Sequence, residues 1–236
     1  MNLILLLKDD FIAGHDRVCL SGRRHKHIRC ILKSSVDDEL CVGVEGSRIG
    51  KGRVVAIDDR TVEMNVGLEK NPPLPLPLTL ILALPRPLAL RRVLIHATVL
   101  GVKKIILLHT KRVQKSYWKS PALKKEKIRE QFMLGLEQAK DTVMPEIQFR
   151  EKFKPFVEDE LPGMIKGAQA FVAHSEGDAA RPVKGDRPVI LVVGPEGGFI
   201  PYEIERLKKS GCGAVSFGKR VMNVETAVVA CISRLT

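Results

Sequence analysis

Residues 189–193 read Val-Ile-Leu-Val-Val, and the run breaks at once into Gly194-Pro195-Glu196-Gly197-Gly198. A short β-branched run bounded by glycine and proline reads as a buried strand. A helix is expected from Pro201, since proline suits the first helical position. Strand, glycine loop and helix in that order constrain the fold strongly. Ligand sites of α/β folds form at such strand ends, where glycine lets the backbone approach closely and its N–H groups become donors. The loop is not a Walker loop, because no Gly-Lys-Ser/Thr follows, and it is not Gly-x-Gly-x-x-Gly. Alone it is equally compatible with an ordinary turn. A second glycine-centred loop shifts the reading towards a ligand. Phe217-Gly218 follows Ala214-Val215-Ser216 and leads into an apolar helix over 224–235.

The preceding chain supports an α/β sheet. From residue 78 an apolar run to 84, a helix over 88–100 after Pro87 and a strand at 105–108 follow in turn. A long amphipathic helix is expected over 119–140, then strands at 147–149 and 170–173. Alternating buried strands and helices predict a mainly parallel sheet. Residues 1–70 differ. Short strands at 18–20, 40–44, 54–57 and 61–64, with a hairpin-like turn at Asp58-Asp59, predict a small β-barrel, interrupted by a short helical stretch over 23–32. Between the two patterns, residues 71–77 hold four prolines, which fit neither a helix interior nor a central strand. The expected domains are therefore 1–70, a linker at 71–77, and 78–236. Residues 1–7 are apolar but too few for a signal core or a membrane span, and read as a first strand.

Net charge is +12, which favours a polyanionic partner. The charge is segregated. Residues 85–129 carry 13 basic side chains against the single acid Glu126, whereas residues 1–70 carry 12 basic and 11 acidic ones. Tyr117 and the only tryptophan, Trp118, lie inside the basic band; there they stack on an unpaired base or form a buried pair. Arg23, Arg24, Lys26, His27 and Arg29 make a second basic cluster, within the expected barrel. Five cysteines without a Cys-x-x-Cys pattern predict reduced, cytoplasmic thiols, and the histidines show no metal-ligand spacing, so no metal is expected.

Gly194-Pro195-Glu196-Gly197-Gly198-Phe199, Glu203-Ile204, and Gly218-x-Arg220 running on to Glu225-Thr226-Ala227 together resemble the ribosomal RNA small subunit methyltransferase E family, of the SPOUT class. The resemblance extends over the whole chain in layout, with its strong motifs in residues 189–231. It implies an N-terminal PUA-like β-barrel that binds RNA and a C-terminal trefoil-knotted SPOUT domain. It also implies S-adenosylmethionine as cofactor, methylation of 16S ribosomal RNA at N3 of a uridine, a homodimer with a shared active site, and no membrane. Ala173, His174, Gly194, Glu196, Gly197, Gly198, Ser216, Gly218, Val221 and Met222 would hold the cofactor. Arg112, Arg220 and Asn223 are the catalytic candidates, and Arg112, Lys115 and Lys124 join the N-terminal basic cluster as RNA contacts. Glu196 is more readily a loop-fixing carboxylate than a catalytic one, and Glu225 a structural one. Three positions depart from the family pattern: Asn223 replaces an arginine, Val99 a glutamate and Ile200 a serine cap. The alternatives are a SPOUT enzyme with another RNA target and a non-catalytic RNA-binding or ribosome-assembly factor.

The charge segregation makes a first prediction. RNA affinity should fall with salt, by a log–log slope of about −0.7 per neutralised phosphate of a single strand. Charge reversal of Lys124, Lys125 and Lys127 together should flatten that slope; an affinity indifferent to salt would remove the role given to the basic band.

Overall fold

A computed structural model describes residues 2–13, 16–179 and 187–235, which fall into two compact units. The first comprises the chain up to Leu74 together with Met133–Met144; the second comprises Pro75–Phe132 and the chain from Pro145 onward.

The first unit is a curled, mixed six-stranded sheet, a half-barrel. Its strands are β1 (Ile4–Leu6), β2 (Phe11–Ala13), β3 (Arg17–Ser21), β4 (Glu39–Val44), β5 (Ile49–Ile57) and β6 (Thr61–Lys70), in the order β1-β4-β5-β6-β3-β2. Only the β1–β4 pairing is parallel. Ile4, Leu6, Val18, Leu20, Val42, Val54, Val62 and Met64 form its core with Ile28. The expected hairpin turn joins β5 to β6. Asp58 accepts the Arg60 and Thr61 N–H groups at 2.7 Å each, and those two backbone bonds hold its carboxyl below the usual aspartate range. Met133–Met144 enters this unit through Leu136, which packs with Leu3 and Leu5, and through the Thr142 hydroxyl, which donates to the Ser47 carbonyl.

The helical stretch at 23–32 is present as α1 (Gly22–Lys26) and the wider turns of His27–Leu32. Its arginines are spoken for. Arg24 grips Asp10 with two bonds of 2.5 and 2.7 Å and also donates to the Leu5 carbonyl. Asp10 in turn accepts the Leu7 N–H at 2.6 Å.

The second unit is an all-parallel six-stranded sheet in the order β12-β10-β11-β7-β8-β9. The strands are β7 (Leu76–Ala83), β8 (Val102–Leu108), β9 (Glu146–Arg150), β10 (Gln169–Ala179), β11 (Val189–Val193) and β12 (Gly213–Ser216). The helices are α2 (Pro87–Val99), α3 (Lys125–Ala139, of which the part from Met133 belongs to the first unit), the short α4 (Phe153–Pro155) and α5 (Leu161–Ile165), α6 (Pro201–Lys209) and α7 (Val224–Leu235). β11 is buried at all five positions, as its composition demands.

Several elements differ from the sequence reading, each for a local reason. The strand expected at 170–173 runs to Ala179 as β10, so His174 and Ser175 lie in the strand and not in a loop; its register with β12 shifts between Ala173 and Asp178. The helix expected from 119 begins at Lys125, because Pro121 opens a separate turn that the Ser120 hydroxyl caps at the Ala122 N–H. β7 starts at Leu76 and so contains Pro77; the β7–β8 register slips between Leu76 and Thr79, where that missing donor is accommodated. The helical segment at 153–165 was not anticipated, since Pro155 and Pro162 break its periodicity.

Among the described residues no helix is long and apolar enough to cross a membrane, and no group of three or more His, Cys, Asp or Glu could hold a metal ion.

The Asp10–Arg24 pair yields a stability prediction. Asp10→Ala leaves a partly buried guanidinium and the Leu7 N–H without their acceptor. It should cost about 3 kcal/mol, read as a lower urea midpoint by circular dichroism. An unchanged midpoint would show the pair to be dispensable.

Candidate active site

In a parallel sheet all strands end on the same edge. The middle of β10 and the C-terminal ends of β11 and β12 here border a cavity of about 390 Å³, open to solvent. All ten residues expected to hold a cofactor line it: Ala173 and His174 within β10, where its register with β12 begins to shift, Gly194, Glu196, Gly197 and Gly198 after β11, Ser216 at the end of β12, and Gly218, Val221 and Met222 after it. Arg112 and Arg220 line it as well, and so do Phe199, Phe217, Val224 and Cys231.

Two of the glycines are explained by the protein's own packing. A Cβ on Gly194 would lie 3.2 Å from the Phe199 ring, and one on Gly197 would lie 3.1 Å from the Arg112 side chain. The loop closes on itself through the Gly198 N–H, which donates to the Pro195 carbonyl at 2.8 Å.

Two carboxylates lock this loop region to neighbouring strands. Glu203, 2% exposed, accepts the Ile200 N–H at 3.0 Å and the Lys111 N–H at 2.7 Å. The first bond caps α6, where Ile200 has no side-chain acceptor. The second fixes the segment after β8, and there the Arg112 guanidinium donates to the Gly197 carbonyl. Glu196 accepts the Arg86 N–H at 2.9 Å, which ties in the segment after β7. Glu196 is thus engaged as a loop-fixing group. Neither the Lys111 nor the Arg86 tether was visible in the sequence, because the partners are 92 and 110 residues apart.

Asn223 is not among the cavity-lining residues. Its side-chain oxygen accepts the Thr226 N–H at 2.9 Å, the bond of a helix N-cap, at the start of α7. Glu225 pairs with Arg92 of α2 at 3.1 Å. Burial pushes the Cys231 thiol up to about 12, with a smaller opposing effect from Arg234. The one thiol at the cavity wall is therefore protonated at neutral pH and is no nucleophile.

The residues expected to contact RNA separate into two groups. In the first unit Arg23 pairs with Glu137 at 2.9 Å, Arg24 with Asp10, and Arg29 with the exposed Asp59 at 2.5 Å. Burial, then neighbouring positive charge, holds His27 below the ordinary histidine value, against the pull of Glu137. Lys26 is exposed. In the second unit Lys115 and Lys124 are exposed, with no ion pair among the described residues.

Comparison with known proteins agrees with this arrangement. Residues 72–236 match the family described as RNA methyltransferase domain. Ribosomal RNA small subunit methyltransferase E of Treponema pallidum is 29% identical over 98% of this chain and 88% of its own length. Ribosomal RNA small subunit methyltransferase E 1 of Borreliella burgdorferi is 22% identical, over 98% and 95%. A Legionella pneumophila methyltransferase solved with bound SAM superimposes with a TM-score of 0.75 at 22% identity, over 99% of this chain and 96% of that one. The Neisseria gonorrhoeae ribosomal RNA small subunit methyltransferase E, bound to S-adenosyl methionine, gives 0.75 at 18%, over 99% and 95%. With its family match spanning the whole parallel sheet and its fold that of these enzymes, the chain belongs to the RNA methyltransferase domain family.

Proposed function

We propose that the chain is an S-adenosylmethionine-dependent methyltransferase of small-subunit (16S) ribosomal RNA, acting at N3 of a uridine. One observation carries this reading: the two glycine loops picked out by their residues and the 173–175 segment implied by the family resemblance converge on one cavity with two arginines at its wall. The cavity fits the cofactor. It presents backbone polar groups of the 194–198 and 216–222 loops beside the apolar surfaces of Phe217, Met222 and Val224. When bound, S-adenosylmethionine supplies a methyl group already activated on a sulfonium.

The chain's part is therefore positioning and electrostatics. N3 of uracil is a weak acid, and transfer needs its deprotonated form. Arg112 and Arg220 place positive charge at the cavity, which lowers the pKa of a nearby N3–H. Either can also hold a backbone phosphate through two parallel bonds. Arg112 is the better oriented, since its bond to the Gly197 carbonyl sets its direction. Asn223 acts on the site indirectly, by fixing where α7 begins and hence where the 216–222 loop ends. A cytoplasmic location follows from a ribosomal substrate.

The same reading includes a homodimer. α7 buries Val224, Val228, Cys231, Ile232 and Leu235 within its own unit. Ala227, Val229 and Ala230 of that helix remain only partly covered, and Leu88 of α2 is 60% exposed. A second copy would cover this remaining apolar surface.

The deciding experiment is to incubate the protein with labelled S-adenosylmethionine and small ribosomal subunits, then map the methyl group. N3-methyluridine in 16S rRNA is expected; cofactor binding without transfer would leave only an RNA-binding role. Gly197→Val tests the site. Its first clash is with the flexible Arg112 side chain, so the fold should survive. Crowding of the cavity should cost about 1–3 kcal/mol of cofactor binding. Calorimetry showing wild-type affinity would place the cofactor elsewhere. Light scattering at micromolar concentration should give a dimer, and a fully active monomer would refute the shared site.

A further inference from the structure

An aromatic cluster stands outside the cavity, at the ends of β8 and β9. The Trp118 Nε1–H donates to His109 Nδ1 at 2.7 Å. Indole offers a donor and no acceptor, so His109 Nδ1 must be the acceptor and the imidazole proton sits on Nε2. Phe149 completes the cluster, its ring centroid 6.4 Å from that of Trp118 and nearly edge-on at 67°. Neither ring covers the other, and Phe149 keeps 40% of its surface in solvent. Trp118 and His109 are partly exposed.

The surroundings are cationic. Lys115 and Lys119 are exposed on the turn that carries Trp118, and Lys111 is exposed two residues after His109. None of the three has an ion pair among the described residues. Lysine is depleted at protein–protein interfaces, whereas aromatic rings flanked by free lysines suit a single-stranded nucleic acid: bases stack on the rings and phosphates meet the charges.

We infer that Trp118 and Phe149 form a stacking platform for an unpaired nucleobase of the RNA substrate, separate from the methyl-transfer cavity. His109 Nε2–H offers that base a fixed donor, and Lys115 and Lys119 meet the adjacent phosphates. The inference rests on the RNA-methyltransferase reading and adds to it a second base site. β9 lies three strand positions from β11 in the sheet order. At about 4.8 Å per strand the two sites are roughly 14 Å apart along the same edge. One extended strand a few nucleotides long can span both.

Trp118 is the chain's only tryptophan, so its emission reports on this site alone. The test titrates the full chain with a ten-nucleotide oligouridylate and with an abasic strand of equal length, each carrying a dye for anisotropy. The oligouridylate should quench Trp118 saturably, and the abasic strand should bind without quenching. Phe149→Ala should weaken oligouridylate binding about tenfold and leave abasic binding unchanged, while Phe149→Tyr, which keeps a ring, should restore affinity. Three results would overturn the platform: bound oligouridylate with unaltered emission, equal losses in the Ala and Tyr variants, or a change in oligomeric state of Phe149→Ala in place of a change in affinity. Titration of the wild-type chain with S-adenosylmethionine keeps the two readings apart. Quenching by RNA without cofactor binding would defeat the methyltransferase reading and spare the platform; the reverse would defeat the platform alone.

Discussion

The carboxylate of Glu203 accepts N–H groups from Ile200 and Lys111, and the order of the sheet edge depends on those two bonds. A buried carboxylate is tolerated only when its oxygens are satisfied, and this one has a further stabiliser in the N-terminal end of α6. Either N–H left without its acceptor would cost about 1–3 kcal/mol. The functional consequence lies one step away. With Lys111 fixed, Arg112 can meet the Gly197 carbonyl. Glu196 does the corresponding work for the segment after β7 through Arg86. The ends of β7, β8 and β11 are thereby joined by side chain to backbone bonds, so the cavity wall is built before any ligand arrives. Such preorganisation suits a reaction whose protein contribution is placement and charge.

The distribution of charge shows why counting residues differs from locating a binding surface. The N-terminal cluster is as basic in sequence as the later band. In space, Arg24 is consumed by Asp10, Arg23 by Glu137 and Arg29 by Asp59. The first of these pairs is mostly buried and holds the first turn of the half-barrel; the last is exposed and weak. The lysines at 111, 115, 119 and 124 have no such partners among the described residues.

Much of the second unit was legible because its signals are local. β11 followed from five apolar residues in a row, α2 and α6 from a proline at the first position, and α7 from its apolar run. The cavity was legible because two of its three walls are glycine loops with their own motifs; the wall at Ala173 and His174 came only from the family resemblance. What escaped the sequence depends on partners far along the chain. The return of Met133–Met144 to the first unit rests on Leu136 meeting Leu3 and Leu5, and no local pattern announces it. The Trp118–His109 bond needs β8 and the following turn to fold before the two rings meet. The early start given to α3 was a local error: amphipathic spacing continues through Pro121, but the chain does not.

At position 223 the family resemblance implies an arginine, and the chain carries an asparagine with a different physical role. Arginine there would bring charge; Asn223 brings a capping oxygen, and asparagine is among the strongest N-cap residues. With α7 held at its first turn, Lys219, Arg220 and Val221 are left to project, and Val221 is fully exposed. The positive charge at the cavity then comes from Arg112, anchored by Gly197, and from Lys219 and Arg220 on the exposed loop. Cys231, the one thiol on the wall, stays protonated. A site of this kind has little means of choosing its substrate by covalent chemistry. Selection has to come from how the nucleotide is delivered, and that gives the lysine-flanked aromatic surface at the far end of the same sheet edge its place in the reaction.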